Sequence, residues 1–175
     1  MVIEQYTILK WADEQMLYDV VHVSTKHDNF KILSWSVNQL SGGFGNPVSV
    51  GLYRYSGIGQ VAEGQFNWSV ILKIIQSPAN VGSENMGEGE DQTHWNYWKR
   101  EWFAYQSDIF SNLPDGLCVP RCYKTYEIPG NIVFLWLEDI DDSNNGNWTL
   151  DHFASTARQL GKLNATPFSS DTLKA

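Results

Sequence analysis

Lys73 closes the run Phe66-Asn67-Trp68-Ser69-Val70-Ile71-Leu72-Lys73, a single cation at the end of an otherwise mostly apolar segment. Hiding a lysine there is costly unless something negative waits for it. Upstream stands Leu40-Ser41-Gly42-Gly43-Phe44-Gly45-Asn46-Pro47, whose glycines let main chain approach a ligand closely. Close main-chain N–H groups together with one fixed cation form a cradle for phosphates.

The elements that must carry these residues can be read from patterning. Residues 32–40 alternate, with Ile32, Ser34, Ser36 and Asn38 on one side and Leu33, Trp35, Val37 and Gln39 on the other. A second strand is expected over 48–55, with Val48, Val50, Leu52 and Arg54 sharing a face, and a turn at Ser56-Gly57. The third spans 66–75; Trp68, Val70 and Leu72 face one way, Ser69, Ile71 and Lys73 the other, toward a cleft. Residues 77–92 read as a solvated acidic loop. Asp91 or Thr93 then caps a helix in which Trp95, Trp98, Trp102, Tyr105 and Ile109 recur at helical spacing, ending at Leu113-Pro114. Glu101 borders that apolar stripe. Two further strands, 119–126 and 132–137, flank a turn at Pro129-Gly130-Asn131. The acidic stretch Glu138-Asp139-Ile140-Asp141-Asp142 follows, then a helix over 150–164 capped by Thr149, with Phe153, Ala157 and Leu160 inward. Ahead of the sheet, a weaker helical pattern capped by Asp13 would bury Leu17, Val20 and Val21. A helix set within a five-strand run points to an α+β fold with a curled, mostly antiparallel sheet.

Bulk composition narrows the function classes. The chain has 175 residues, 42% hydrophobic, and eight each of Trp, Tyr and Phe, ample for a core. A net charge of −8 without Lys/Arg clusters argues against a nucleic-acid surface. The first thirty residues hold no continuous apolar stretch, so no membrane partner and a cytoplasmic location are expected. Cys118 and Cys122 are the only cysteines and read as reduced thiols. No metal site is expected; a calcium loop from Asp141 would place His152 where a bidentate Glu is needed.

This order of elements resembles the amino-terminal lobe of the protein-kinase-like fold, most nearly the aminoglycoside phosphotransferase-like family of small-molecule kinases, which includes choline-kinase-type enzymes. Four features carry the resemblance: Leu40-Ser41-Gly42-Gly43 before the hairpin, Val70-Ile71-Leu72-Lys73, Arg100-Glu101 in the next helix, and Leu135-Trp136-Leu137-Glu138-Asp139-Ile140 leaving the fifth strand. The resemblance implies that Lys73 holds the α- and β-phosphates of ATP and that Glu101 pairs with it. Gly42, Gly43, Phe44 and Gly45 would cover the phosphates, although the turn is not G-x-G-x-x-G and Pro47 withdraws one N–H. Val48 or Val50, with Ile71, would roof the adenine, and main chain at Glu138 and Ile140 would bond its edge. It further implies an extension over 1–31, a kinase-like lobe over 32–138, and a hinge with the first helix of a second lobe over 139–175.

A kinase of this class also needs a catalytic Asp in a loop resembling H-x-D-x-x-x-x-N and a later Asp for magnesium. Neither pattern occurs in these residues, so no catalytic residue is assigned. The expectation is the ATP-binding lobe of a small-molecule phosphotransferase, inactive as this chain. Magnesium and a small polar hydroxyl substrate would be partners of the full-length protein only. The rival expectation is a non-catalytic interaction or pseudokinase-type binding domain, using the Trp-rich helix as a partner face.

Overall fold

The computed structural model describes residues 12–41, 48–81, 90–94, 97–140 and 146–169. The elements run α1 (Glu14–Thr25), β1 (Lys31–Leu40), β2 (Ser49–Val61), β3 (Gly64–Gln76), α2 (Arg100–Gln106), β4 (Cys122–Ile128), β5 (Ile132–Glu138) and α3 (Leu150–Ser169). The strands form one five-stranded sheet in the order β1-β2-β3-β5-β4. Every neighbouring pair is antiparallel. The fold is thus α+β, as the patterning indicates.

By internal packing the chain divides into two units, Met1–Phe103 with Pro120–Asp139, and Ala104–Val119 with Ile140–Ala175. The first holds the sheet. Asp13 caps α1 by accepting from the Met16 N–H, and Lys26 closes it in the left-handed conformation. Leu17, Val20 and Val21 of α1 are buried against Tyr53, Tyr55, Trp68, Val70, Leu72, Ile74, Phe134 and Trp136. One face of the sheet is therefore the α1-side core. The other face carries the remaining buried residues of β3 and β5: Ile71, Ile75, Val133, Leu135 and Leu137. Burial on both faces explains why β5 reads as an unbroken apolar run.

Two expected features of the sheet-bearing part and the helix that follows differ from the sequence reading. The turn expected at Ser56-Gly57 is absent: β2 continues to Val61 and reverses only at residues 62–63. Gly57 marks a close approach, because a Cβ there would lie 2.1 Å from the Ser34 carbonyl oxygen and 2.7 Å from the Trp68 ring. The helix expected through residues 95–109 has only seven residues, Arg100–Gln106. The chain before it is held by turns, with the Asp91 carboxylate accepting from the Thr93 N–H and hydroxyl instead of starting a helix. Ile109 lies in a short 3-10 turn and is exposed; Trp95 is outside the described residues.

The second unit contains α3, begun by Thr149, whose hydroxyl accepts from the His152 N–H at 3.4 Å. The residues expected to face inward do not: Phe153 is 58% and Leu160 50% exposed, and Ala157 is exposed too. The apolar stripe has the right period, but period alone does not supply a partner surface.

Candidate functional site

Side chains of directly paired residues in an antiparallel sheet point to the same face. The register therefore lays three rows across the face opposite α1. Leu40, Leu52, Lys73 and Leu135 form one row, and Asn38, Arg54, Ile71 and Leu137 the next. Ser36, Ser56 and Ser69 form the third. One cation thus stands among leucines and another beside Ile71, and each needs a carboxylate.

Lys73 has one. Its ammonium group ion-pairs with Glu101 Oε2, across 28 positions of sequence. Lys73 is 26% and Glu101 36% exposed at the side chain, so the pair is reachable from solvent. Local contacts explain why Glu101 arrives there. Glu90 accepts a hydrogen bond from the hydroxyl of the fully buried Ser77 and another from the Trp98 indole N–H at 3.2 Å. The Ser77 N–H in turn donates to the Asn131 carbonyl at 2.9 Å. Lys99 donates to Glu127 at 2.8 Å and lies 5.1 Å and 4.9 Å from the ring centroids of Trp98 and Trp102. The segment leading into α2 is therefore tied to the end of β3 and to β4. Glu90, read as part of a solvated loop, is one of those ties, and Trp98 is buried beneath them.

The other expected site residues fall as follows. Ile71 and Val48 are buried, and the Val48 carbonyl accepts from the Gln76 N–H at 2.8 Å. Val50 packs against the α1-side core instead of sharing the Lys73 face. A register irregularity between Ser49 and Gly51 breaks the alternation there. Glu138 ends β5, with its N–H donating to the Arg121 carbonyl at 2.8 Å and its carboxylate accepting from the Arg121 N–H at 3.1 Å. Ile140 is half exposed and opens the second stretch of the second unit. Gly42, Gly43, Phe44 and Gly45 lie outside the described residues, as do the acidic residues 141–142. Among the described residues no cluster of His, Cys, Asp and Glu has the makings of a metal site, and no helix is long and apolar enough to cross a membrane.

The patterning did not reveal what Arg54 meets. Its Nη2 donates to Asp139 Oδ1 at 2.9 Å, and its Nε lies 2.8 Å from Oδ2. Ser69 donates to the same Oδ2. The available signal was an arginine in mid-strand on the face of Lys73, which demands a carboxylate by the same reasoning. Beside Ser69 an open trough of about 630 Å³ runs along Ser34, Ser36, Ser56, Ile58 and Asn67. It does not reach Lys73 or Glu101.

Cys118 and Cys122 are free thiols. Burial pushes the Cys122 thiol up to about 11, against a lowering hydrogen bond with the Lys124 main chain and with the Glu101 charge adding to the rise. At pH 8 only about one Cys122 in a thousand is then thiolate, the reactive form. Iodoacetamide should label Cys122 at least ~10-fold more slowly in the folded chain than in urea, and Glu101→Gln should narrow the gap. Equal rates would contradict the burial. The proton is held more tightly in the folded state than at the usual 9.0, so this group's stabilisation is complete below pH 9 and is lost as pH rises toward 11.

Comparison of the chain with family models, curated proteins and solved structures finds no match in any of the three, so the site is identified by its own geometry.

Proposed function

We propose that the Lys73 face of the sheet binds the triphosphate of ATP, as the nucleotide-binding lobe of a small-molecule phosphotransferase similar to the aminoglycoside phosphotransferase-like kinases. The observation that carries this reading is the Lys73–Glu101 ion pair, a strand cation held by a helix carboxylate. Such a pair keeps the ammonium group in one place while leaving its remaining N–H donors for phosphate oxygens. Ile71, Leu135 and Leu137 supply an apolar surface around it, with Val48 buried nearby in sequence to the glycine turn. In this reading the base edge meets main chain at Glu138 and Ile140; Gly42, Gly43, Phe44 and Gly45, expected to cover the phosphates, lie outside the described residues. In this reading ATP supplies the phosphoryl group when bound, with magnesium, to a hydroxyl-bearing acceptor. No residue of this chain is assigned proton transfer, because no H-x-D-x-x-x-x-N pattern occurs in it.

Titration with Mg-ATP tests the reading. A ligand that binds only the folded state stabilises it by RT ln(1 + [L]/Kd), about 2.7 kcal/mol at a hundredfold excess over Kd. The melting midpoint of the chain should therefore climb steadily with Mg-ATP, and not with adenosine-free buffer of equal ionic strength. A midpoint that stays flat up to 10 mM, on the order of a thousandfold above a 10 µM Kd, would rule the site out.

The second reading, a non-catalytic interaction or pseudokinase-type binding domain, draws on the exposed stripe of Phe153 and Leu160 on α3. In the Trp-rich segment Trp98 is buried and Phe103 is exposed. A flat Mg-ATP titration would favour this reading.

A further inference from the structure

Asp139 follows directly on the last residue of β5, and its side chain turns back onto the sheet. It is only 14% exposed at the side chain, unusual for a carboxylate just past a strand end. Two hydrogen-bond donors from two strands converge on it, Arg54 Nη2 at 2.9 Å and the Ser69 hydroxyl, while Arg54 Nε lies 2.8 Å from the second oxygen as an ion-pair contact. Arg54 lies 85 positions away in sequence and Ser69 lies 70. The guanidinium hydrogen-bonds one carboxylate oxygen through Nη2 and lies in ion-pair contact with the other, so two of its atoms hold the carboxylate. One position earlier, Glu138 is pinned from the other flank, by two hydrogen bonds exchanged with Arg121. Main chain leaving β5 is thus held by β2 and β3 on one side and by the start of β4 on the other.

Arg54 also stands directly across from Ile71 and one row from Lys73. The cation is therefore on the candidate nucleotide face, yet its charge is already engaged by Asp139. It is better placed to hold protein than to hold phosphate.

We propose that Arg54, assisted by Ser69, is a positioning residue for nucleobase recognition: by gripping the Asp139 carboxylate it fixes the main chain on either side of Asp139 that meets the base edge. This rests on the nucleotide reading of the Lys73 face. Hydrogen bonds to a base tolerate little displacement of donor or acceptor, so main chain released from this grip reads the base poorly. Phosphate contacts, which depend on Lys73 in the neighbouring row, are left intact.

The experiment compares two probes, Mg-ATP and inorganic Mg-tripolyphosphate, by calorimetric titration of the whole chain. Tripolyphosphate has the charge and no base. The native chain is expected to bind both, and Lys73→Met to weaken both. The neutral pair Arg54→Gln with Asp139→Asn leaves no unpaired charge behind; it should weaken ATP about tenfold and leave tripolyphosphate within about twofold. Arg54→Lys, which keeps the charge and loses the fork, should fall between native and the neutral pair. Amide exchange at Asp139 and Ile140 should quicken in the neutral pair.

An unchanged ATP affinity in a cooperatively folded neutral pair overturns the inference while leaving the nucleotide site standing. Equal losses for ATP and tripolyphosphate overturn it as well, since the effect then runs through the fold at large. Binding of neither probe by the native chain removes the nucleotide reading and this inference together. Should the neutral pair fail to fold, Ser69→Ala removes one donor and keeps the ion pair. It should weaken ATP about threefold without affecting tripolyphosphate, and the absence of that split is again an overturning result.

Discussion

Lys73→Met should lower the affinity for Mg-ATP by a factor of roughly ten to a hundred while leaving the chain folded. The size follows from the loss of a hydrogen bond to a charged group, about 1.5–3 kcal/mol, where each 1.4 kcal/mol is tenfold. The folding half of the prediction follows from the surroundings. Lys73 lies between Leu52 and Leu135 in its row, so a methionine of similar length replaces an ammonium stem with an apolar side chain among apolar neighbours. Glu101 loses its partner, but it is more than a third exposed at the side chain and can turn to water. Glu101→Gln should do less harm than Lys73→Met, because the amide oxygen still accepts from the ammonium group. Lys73→Glu should behave worse than Lys73→Met, placing two carboxylates together. Titration calorimetry with circular dichroism on the same samples reads both halves. Native-like ATP affinity in a folded Lys73→Met chain would mean that the phosphates lie elsewhere.

The largest loss of stability should come from Trp136→Ala, at about 3–5 kcal/mol. Trp136 is fully buried at the middle of β5, the strand between β3 and β4. Its ring meets that of Tyr55 edge-on at 5.0 Å between centroids, directly in the α1-side core. Removing it opens a cavity walled by three strands, which cannot collapse without breaking ladder bonds on both sides of β5. Against a typical total of about 5–15 kcal/mol, this leaves a marginal or unfolded chain. Trp136→Phe should cost less than half as much. It keeps an aromatic ring opposite Tyr55, and the indole N–H it discards finds no acceptor among the described residues. Urea unfolding followed by circular dichroism separates the two variants. A Trp136→Ala chain that keeps its native midpoint would contradict the placement of β5 at the centre of the core.

The same strand links the two results. The face of β5 away from Trp136 presents Leu135 beside Lys73 and Leu137 beside Ile71. Partial variants at Trp136 that remain folded should therefore weaken Mg-ATP as well, through displaced rows rather than lost contacts.

Much of this arrangement was already written in local pattern. Alternation in residues 66–75 separates the Trp68, Val70 and Leu72 face from the Ser69, Ile71 and Lys73 face, because strand side chains alternate with a period of two whatever lies around them. The unbroken run of residues 132–137 marks a strand buried on both sides for the same reason. Asp13 announces α1, since a cap acts on the three residues next to it. A lone lysine after three apolar residues signals a carboxylate nearby.

What pattern does not carry is the neighbour that overrides it. Gly57 looks like a turn in sequence, but in the fold it admits the Ser34 carbonyl, and β2 runs straight through. Val50 obeys the alternation only until the irregularity beside it turns it to the core. The Trp spacing of residues 95–109 suits a long helix, whereas hydrogen bonds from Ser77 and Trp98 to Glu90 hold the approach to α2 in another form. Asp139 has the look of a solvated acid until β2 and β3 bring Arg54 and Ser69 to it from 85 and 70 residues away. Period, caps and turn residues act over a few positions, so the sequence by itself determined the five strands, α1 and the alternating faces of β3. That Asp139 answers Arg54 depends on strand order and register, which cooperative packing of distant segments sets, and only the tertiary structure decided it.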